Sequence, residues 1–208
     1  MTEVVSIERD GPEAARAALD RCIGLGGVAV FPADTLYGLA CDPLNERAVQ
    51  RIRQLKRRER EKPTAVMYFS VPAIRELVEP LGSKARDAVS ALLPGPVTVV
   101  IANPERRYPI ACGAHPGKLG VRLIEGPLAG AAHPVFQTSA NTTGERPPAR
   151  FADVDGRISG TVDLAIDGGE LGGAPSTVVD LSGIDAGAGW KLLREGALSE
   201  AEVARRLG

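Results

Sequence analysis

The segment GVAVFPADTLYGLACD, Gly27 to Asp42, joins an apolar run directly to a cluster of polar side chains. GVAVFP (27–32) follows a glycine helix stop and is typical of a buried strand in an α/β protein. Asp34, Thr35 and Tyr37 then supply polar groups in a stretch that is otherwise suited to burial. A capped turn, with Thr35 bonded to the backbone, and a binding function account for this motif equally well.

Helical and strand patterns alternate on both sides of this segment. Helices are predicted over 13–25, 46–57 with Asn45 as its N-cap, 72–79, 83–92 and 199–207. Further strands are predicted over 4–7, 64–69, 97–102, 118–124, 134–138, 164–167, 176–182 and 190–195. Helices and strands interleave early and strands cluster late, which predicts one α/β domain over 1–208 with a mixed twisted sheet and flanking helices.

The composition excludes several classes of protein. The formal net charge of the 208 residues is -1, so any binding of anions must be local rather than driven by overall charge. The N-terminus lacks a signal-peptide pattern, and the apolar runs are too short to cross a membrane. The three cysteines, Cys22, Cys41 and Cys112, form no CxxC motif. These features predict a cytoplasmic protein with reduced, mostly buried thiols.

Positive charge is concentrated in LKRREREKPTAV, Leu55 to Val66. Five cations lie within seven residues of this segment, namely Lys56, Arg57, Arg58, Arg60 and Lys62. Such a run is either a solvated helix end or a site for an anion.

Familiar catalytic motifs are absent. GAHPGKL (113–119) is one residue short of a P-loop and has leucine where a hydroxyl must meet the metal. His115 and His133 have no partner at metal-ligand spacing, so no metal site is predicted. Since no nucleophile-and-base pair is evident, an enzyme of this sequence would act by positioning its reactants and stabilising charge.

Three later segments carry small polar groups next to strands. In QTSANTTGERPP (137–148), Ser139 and Asn141 are two residues apart, so both point to one side of an extended chain, as would suit a phosphate or a ribose. An Asx-turn alone would also explain the asparagine. The other two segments are GAPSTVVDLS (173–182) and LLREG (192–196).

In combination and in this order, these segments resemble the YrdC/Sua5 family. The resemblance rests on PADTLYGLACD, the K-x-R of Lys56 and Arg58, LPGPVTVVI, GVRLI, TSANTTG, PSTVVD and LLREG. It implies a twisted α/β sheet with a large, positively lined cleft. The length fits a single YrdC-like domain without the second domain that extends some Sua5 proteins.

The resemblance also implies an activity, that of a threonylcarbamoyl-AMP synthase. Such enzymes combine L-threonine, bicarbonate and ATP, with Mg²⁺ accompanying the nucleotide, and release pyrophosphate. A separate threonylcarbamoyl-transferase machinery then modifies tRNA to t6A. Carried over by motif, the ATP-binding residues are Lys56, Arg58, Lys62, Thr98, Ser139, Asn141 and Arg194. Lys56 and Arg58 are the expected catalytic residues, and the threonine-binding residues are Thr35, Arg122 and Ser176.

The chain departs from the family pattern at a few positions. Met67 stands where relatives often have histidine, the segment 125–137 is short, and Thr138 stands where proline is common. These departures would suit a paralogue that binds nucleotide in another carbamoyl-type or regulatory role. A module that binds double-stranded RNA or tRNA through its basic concavity is a further alternative.

Overall fold

The computed structural model describes residues 1–208. Its strands are β1 (Glu3–Ser6), β2 (Ala29–Pro32), β3 (Tyr37–Cys41), β4 (Ala65–Tyr68), β5 (Val97–Ala102), β6 (Lys118–Leu123), β7 (Val135–Ser139), β8 (Leu164–Asp167), β9 (Thr177–Asp180) and β10 (Lys191–Arg194). Its helices are α1 (Ile7–Asp10), α2 (Pro12–Gly24), α3 (Glu46–Lys56), α4 (Val71–Val78), α5 (Ser83–Leu92), α6 (Pro109–Cys112), α7 (Gly156–Ser159) and α8 (Glu200–Leu207), with one 3-10 turn at Phe151–Asp153.

All ten strands belong to one sheet, in the order β1-β8-β2-β3-β7-β4-β6-β5-β9-β10. The pairs β1–β8, β2–β8, β4–β6 and β5–β9 are parallel, and the other neighbours are antiparallel. The single α/β domain with a mixed sheet and flanking helices is therefore confirmed. No helix has both the length and the apolar character that crossing a bilayer requires.

The opening motif is a hairpin that occupies the middle of the sheet. β2 pairs with β3 antiparallel, and the turn 33–36 between them is closed by a hydrogen bond from Ala33 N to Leu36 O. The sequence analysis predicted β2 and the turn but missed β3, which is buried along its whole length. A Cβ at Gly38 would lie 3.1 Å from both Phe31 Cε1 and the Thr138 carbonyl oxygen, so β3 packs tightly against its neighbours at this glycine. A glycine-containing run without alternation gives little strand signal.

The two faces of the sheet are covered unequally. On one face α3, α4, α5 and α8 contribute to a core cluster of 34 buried residues. On the other face α2 and the chain around Leu128 contribute to a cluster of 17. Successive side chains of a strand point to opposite faces of the sheet, so Val66 and Tyr68 lie in the first cluster whereas Met67 and Phe69 lie in the second. The 17-residue cluster contains no residue of β5, β6 or β9, so it does not cover the part of this face that these strands form.

Helix α3 has an unexpected buried face. Asn45 caps it as predicted, accepting a hydrogen bond from Ala48 N at 3.1 Å. Arg53 and Lys56 are buried along with Ala48 and Ile52, although charged side chains are rarely buried to this extent. Both find backbone carbonyls as partners; Arg53 donates to Ile110 O at 2.8 Å.

Candidate functional site

The uncovered part of the second face holds a cavity of about 500 Å³. Ala65, Gly120 and Val100 form part of its floor and are register neighbours across β4, β6 and β5. Its walls also include the β2–β3 turn, the loop after α3, the end of β7 and the strands β9 and β10. Segments remote in sequence meet here because the strand order places β7, β4, β6, β5 and β9 side by side.

Most of the site residues predicted from the sequence line this cavity. They are Thr35, Arg58, Thr98, Arg122, Ser139, Ser176 and Arg194. The remaining three, Lys56, Lys62 and Asn141, do not line it.

Lys56 lies behind the cavity wall instead of in it. Its side chain is fully enclosed, with 1% of the residue exposed, and Nζ donates to the backbone carbonyls of Ser139 and Asn141, the latter at 2.6 Å. Nζ also reaches the side-chain oxygens of both residues, at 3.5 and 3.4 Å. Burial, followed by the nearby charge of Arg58, lowers the pKa of Lys56 to about 8. Lys56 therefore fixes the backbone that carries Ser139.

Arg58 lines the cavity, unlike Lys56, because the chain turns sharply at Arg57, whose φ is 51°. Its NH2 donates to Pro63 O at 2.9 Å, while its Nε is buried without a partner. Burial lowers the pKa of this guanidinium. Lys62, by contrast, is exposed and forms an ion pair with Glu59 at 3.4 Å.

The loop that carries Arg58 is attached to helix α6. Thr64 N donates to Ala111 O at 2.8 Å, and Ala114 N donates to Glu61 O at 3.0 Å. Gly113, at φ 59°, makes this approach possible, because a Cβ there would lie 2.2 Å from Glu61 O. The position of Arg58 thus depends on a contact outside the K-x-R motif.

Thr98, Ser176 and Arg194 form one hydrogen-bonded group. The hydroxyls of Thr98 and Ser176 are 3.0 Å apart, and Arg194 NH2 donates to Ser176 O at 2.6 Å and to its Oγ at 3.2 Å. The sequence analysis assigned Thr98 and Arg194 to ATP and Ser176 to threonine, and in the structure the three side chains are in direct contact. Gly196 allows the contact between β10 and β9, since a Cβ there would lie 2.2 Å from Pro175 O.

Arg122 projects from β6 and has two partners. NH1 donates to Gln137 Oε1 at 3.2 Å, and NH2 forms an ion pair with Asp34 Oδ1. The pair is enclosed, with 5% of the Arg122 side chain and 15% of the Asp34 side chain exposed.

Several residues of this region were not selected from the sequence. Asp34, although noted in the hairpin, was given no role; Gln137, His115, Cys112 and the pair Lys118–Asp180, whose charged atoms are 2.7 Å apart, were also omitted. Strand alternation is the signal that could have found some of them, because Gln137 precedes Ser139 by two positions and Asp180 follows Ser176 by four. No cluster of three or more His, Cys, Asp or Glu side chains is close enough to hold a metal ion.

Met67 lies in the 17-residue core and does not line the cavity. It pairs in register with Arg122 on β6 and with Val135 on β7. This departure from the family pattern is therefore packed beside the cavity and forms part of its support.

The sheet and the cavity lined by three arginines define an α/β protein whose candidate site is chemically suited to small anionic molecules. The chain belongs to the Sua5/YciO/YrdC family, whose model, described as "Telomere recombination", matches residues 21–196.

Relatives in this family include proteins named threonylcarbamoyl-AMP synthase. The chain is 36% identical over 160 residues to that of Xanthomonas euvesicatoria, covering 72% of this chain and 85% of the relative. It is 30% identical over 163 residues to that of Marinobacter nauticus, covering 75% of this chain and 85% of the relative.

Solved structures agree with this assignment. P. abyssi Sua5 complexed with L-threonine superposes with a TM-score of 0.85 at 28% identity, covering 100% of this chain. This chain spans 61% of that Sua5 protein. E. coli YciO, at 23% identity and a TM-score of 0.79, shares the fold and covers 96% of this chain and 98% of its own.

Proposed function

We propose that this chain is a threonylcarbamoyl-AMP synthase. It would join L-threonine, bicarbonate and ATP into threonylcarbamoyl-AMP and pyrophosphate, the activated intermediate of t6A formation in tRNA. The observation that supports this most directly is the set of arginines, Arg58, Arg122 and Arg194, that three separate segments bring to one cavity. All three substrates carry anionic groups, and arginine offers planar donor pairs that match carboxylate and phosphate oxygens.

The cavity residues divide between the two larger substrates. Arg58, Thr98, Ser139 and Arg194 would bind the phosphates and sugar of ATP, while Thr35, Arg122 and Ser176 would bind threonine. Lys56 would serve ATP indirectly, by holding the backbone of Ser139 and Asn141. Asn141 would also act indirectly, since its side chain donates to Thr142 O and Glu145 O in the following loop. Lys62 would add only a solvent-screened charge at the periphery. ATP would enter with Mg²⁺ as part of the substrate.

The reaction requires two anionic reactants, the carboxylated threonine and ATP, to approach each other. The amine of threonine and bicarbonate would form N-carboxy-threonine with release of water, and its new carboxylate oxygen attacks the α-phosphorus of ATP as the bond to pyrophosphate breaks. Fixed cations lower the barrier to such an approach, because they offset the charge that accumulates in the transition state. Arg58 is the proposed catalytic cation, with Lys56 fixing the segment opposite it.

A covalent enzyme intermediate is not part of this proposal. Cys112 lines the cavity, but burial raises the pKa of its thiol. Burial also raises the pKa of Cys41. A thiol that stays protonated near neutral pH is a poor nucleophile.

We further propose that the chain works as one YrdC-like unit in the cytoplasm, where tRNA and the threonylcarbamoyl-transferase machinery would use its product. Direct contact with tRNA or double-stranded RNA is not required for this role.

One assay tests the proposed function. The purified protein is incubated with ATP, L-threonine and labelled bicarbonate, and pyrophosphate and labelled threonylcarbamoyl-AMP are measured. Threonine-dependent release of pyrophosphate with labelled product supports the synthase. ATP binding without release would indicate the paralogue, and salt-sensitive binding of double-stranded RNA without ATP binding would indicate an RNA module.

A further inference from the structure

Arg122 has more hydrogen-bond donors than its protein partners use. A guanidinium carries five N–H groups in a fixed plane. NH2 bonds to Asp34 Oδ1 and NH1 bonds to Gln137 Oε1. Nε of Arg122 and Oδ2 of Asp34 are both buried and have no hydrogen-bond partner.

Asp34 meets the guanidinium through one oxygen only, because its Oδ2 does not bond to Nε. NH1 and NH2 each carry two N–H groups, and each has a single protein acceptor. One donor of each terminal nitrogen is therefore left, and together they match the two oxygens of a carboxylate.

Asp34 also changes the charge at this end of the cavity. Arg122 and Arg194 repel each other, since the charge of Arg122 adds to burial in lowering the pKa of Arg194. Asp34 supplies a negative charge within the same enclosed pair. Arg122 lines the cavity and Asp34 does not, so a ligand on Arg122 meets a cation whose paired anion lies just outside the lining. This charge pattern suits an amino acid, which carries an ammonium group next to its carboxylate.

We propose that Asp34 is a positioning and specificity residue for the amino-acid substrate. It holds Arg122 with one donor of each terminal nitrogen left for the substrate carboxylate, and its charge favours an α-ammonium group over a neutral substituent. This inference rests on the proposed function, which assigns threonine to Arg122.

Binding measurements test the inference without relying on turnover. Wild type and Asp34→Asn are titrated calorimetrically with L-threonine and with 2,3-dihydroxybutanoate, which has a hydroxyl in place of the ammonium. Wild type is expected to prefer L-threonine. In Asp34→Asn the affinity for L-threonine should fall roughly ten- to a hundredfold, as for loss of a charge-assisted contact. The preference over dihydroxybutanoate should shrink, while ATP affinity stays unchanged.

Two further variants make the result specific. Asp34→Glu keeps the charge, so it should retain the preference for the ammonium-bearing ligand even where overall affinity is lower. Asp163→Asn removes the carboxylate of another Asp–Arg pair, formed with Arg51 at 2.6 Å outside the cavity, and should leave both affinities unchanged.

The possible results distinguish a failure of the inference from a failure of the proposed function. An unchanged ratio of the two affinities in Asp34→Asn, with ATP binding intact, would overturn the inference alone. Loss of the preference in Asp34→Glu as large as in Asp34→Asn would overturn the part assigned to charge. A wild-type protein that binds neither ligand overturns the proposed function and this inference with it.

Discussion

Lys56 and Arg58 are two residues apart and carry the same charge, yet the structure uses them differently. Lys56 ends helix α3 inside the protein, where its ammonium group donates to the carbonyls of Ser139 and Asn141. Arg58 lies beyond the turn at Arg57 and lines the cavity, and of its terminal nitrogens only NH2 has a protein acceptor, the Pro63 carbonyl. One cation is saturated by the protein, and the other retains donors for a ligand.

The difference shows that a charged motif can contain both a structural and a binding residue. Ammonium donors that already bond to backbone carbonyls have little capacity left for a phosphate. An arginine has more donors, so one contact with the Pro63 carbonyl does not exhaust it. The predictions below test this division, beginning with the largest expected effect.

Lys56→Ala should lower the free energy of unfolding by about 3 kcal/mol, because it leaves buried carbonyls without donors and opens a cavity. Denaturant unfolding measures the change. Lys62→Ala, at an exposed cation of the same segment, is the matched control and should shift stability by less than about 0.5 kcal/mol. Equal effects of the two substitutions would contradict a structural role for Lys56.

Arg58→Ala should mainly weaken ATP binding, by about 1.5–3 kcal/mol or roughly ten- to a hundredfold in Kd, as a charge-assisted contact is lost. Calorimetric titration with ATP measures this. Arg60→Ala removes a neighbouring exposed arginine that pairs with Glu46 at 3.6 Å, and should leave the affinity unchanged. Unaltered ATP affinity in Arg58→Ala would remove this residue from the site.

The pH dependence of stability should carry a signature of Lys56. Its pKa in the folded protein is about 8, below the ordinary value of 10.5. Between these values the unfolded chain binds a proton that the folded chain has released, so this group makes stability rise with pH across the window. The penalty for burying the charge is fully present below about pH 8.

Comparison with Lys56→Met isolates that signature from other groups. Burial raises the pKa of Tyr37 to about 12 and that of Cys22 to about 11, and these acids make stability fall with pH in the alkaline range. The unfolding free energy of wild type minus that of the variant should therefore increase from pH 8 to 10.5. A constant or falling difference would show that the buried ammonium has an ordinary pKa.

The smallest effect is expected at the cysteines. Cys112→Ser and Cys41→Ser should retain threonine-dependent pyrophosphate release in proportion to the folded fraction, because neither thiol acts as a nucleophile. Near-ultraviolet circular dichroism measures that fraction. Complete loss of turnover in a fully folded Cys41→Ser or Cys112→Ser variant would require covalent chemistry.

The sequence alone determined the fold class and most of the elements. Apolar runs bounded by glycine and proline identified nine of the ten strands, and capping and periodicity identified the longer helices. These signals depend on residues that are close together in the chain, so they can be recognised from the sequence alone. β3 was not predicted because this buried strand, which contains Gly38, shows neither alternation nor strong strand propensity.

Tertiary structure decided which motif residues face the cavity. The spacing of Lys56 and Arg58 is the same whether the ammonium points into the protein or into the site; the end of α3 and the left-handed Arg57 decide it. The joining of Thr98, Ser176 and Arg194, and of Asp34 with Arg122, depends on strand order across the sheet. Contacts between remote segments leave no local pattern, so only the packed chain reveals which donors remain free for a ligand.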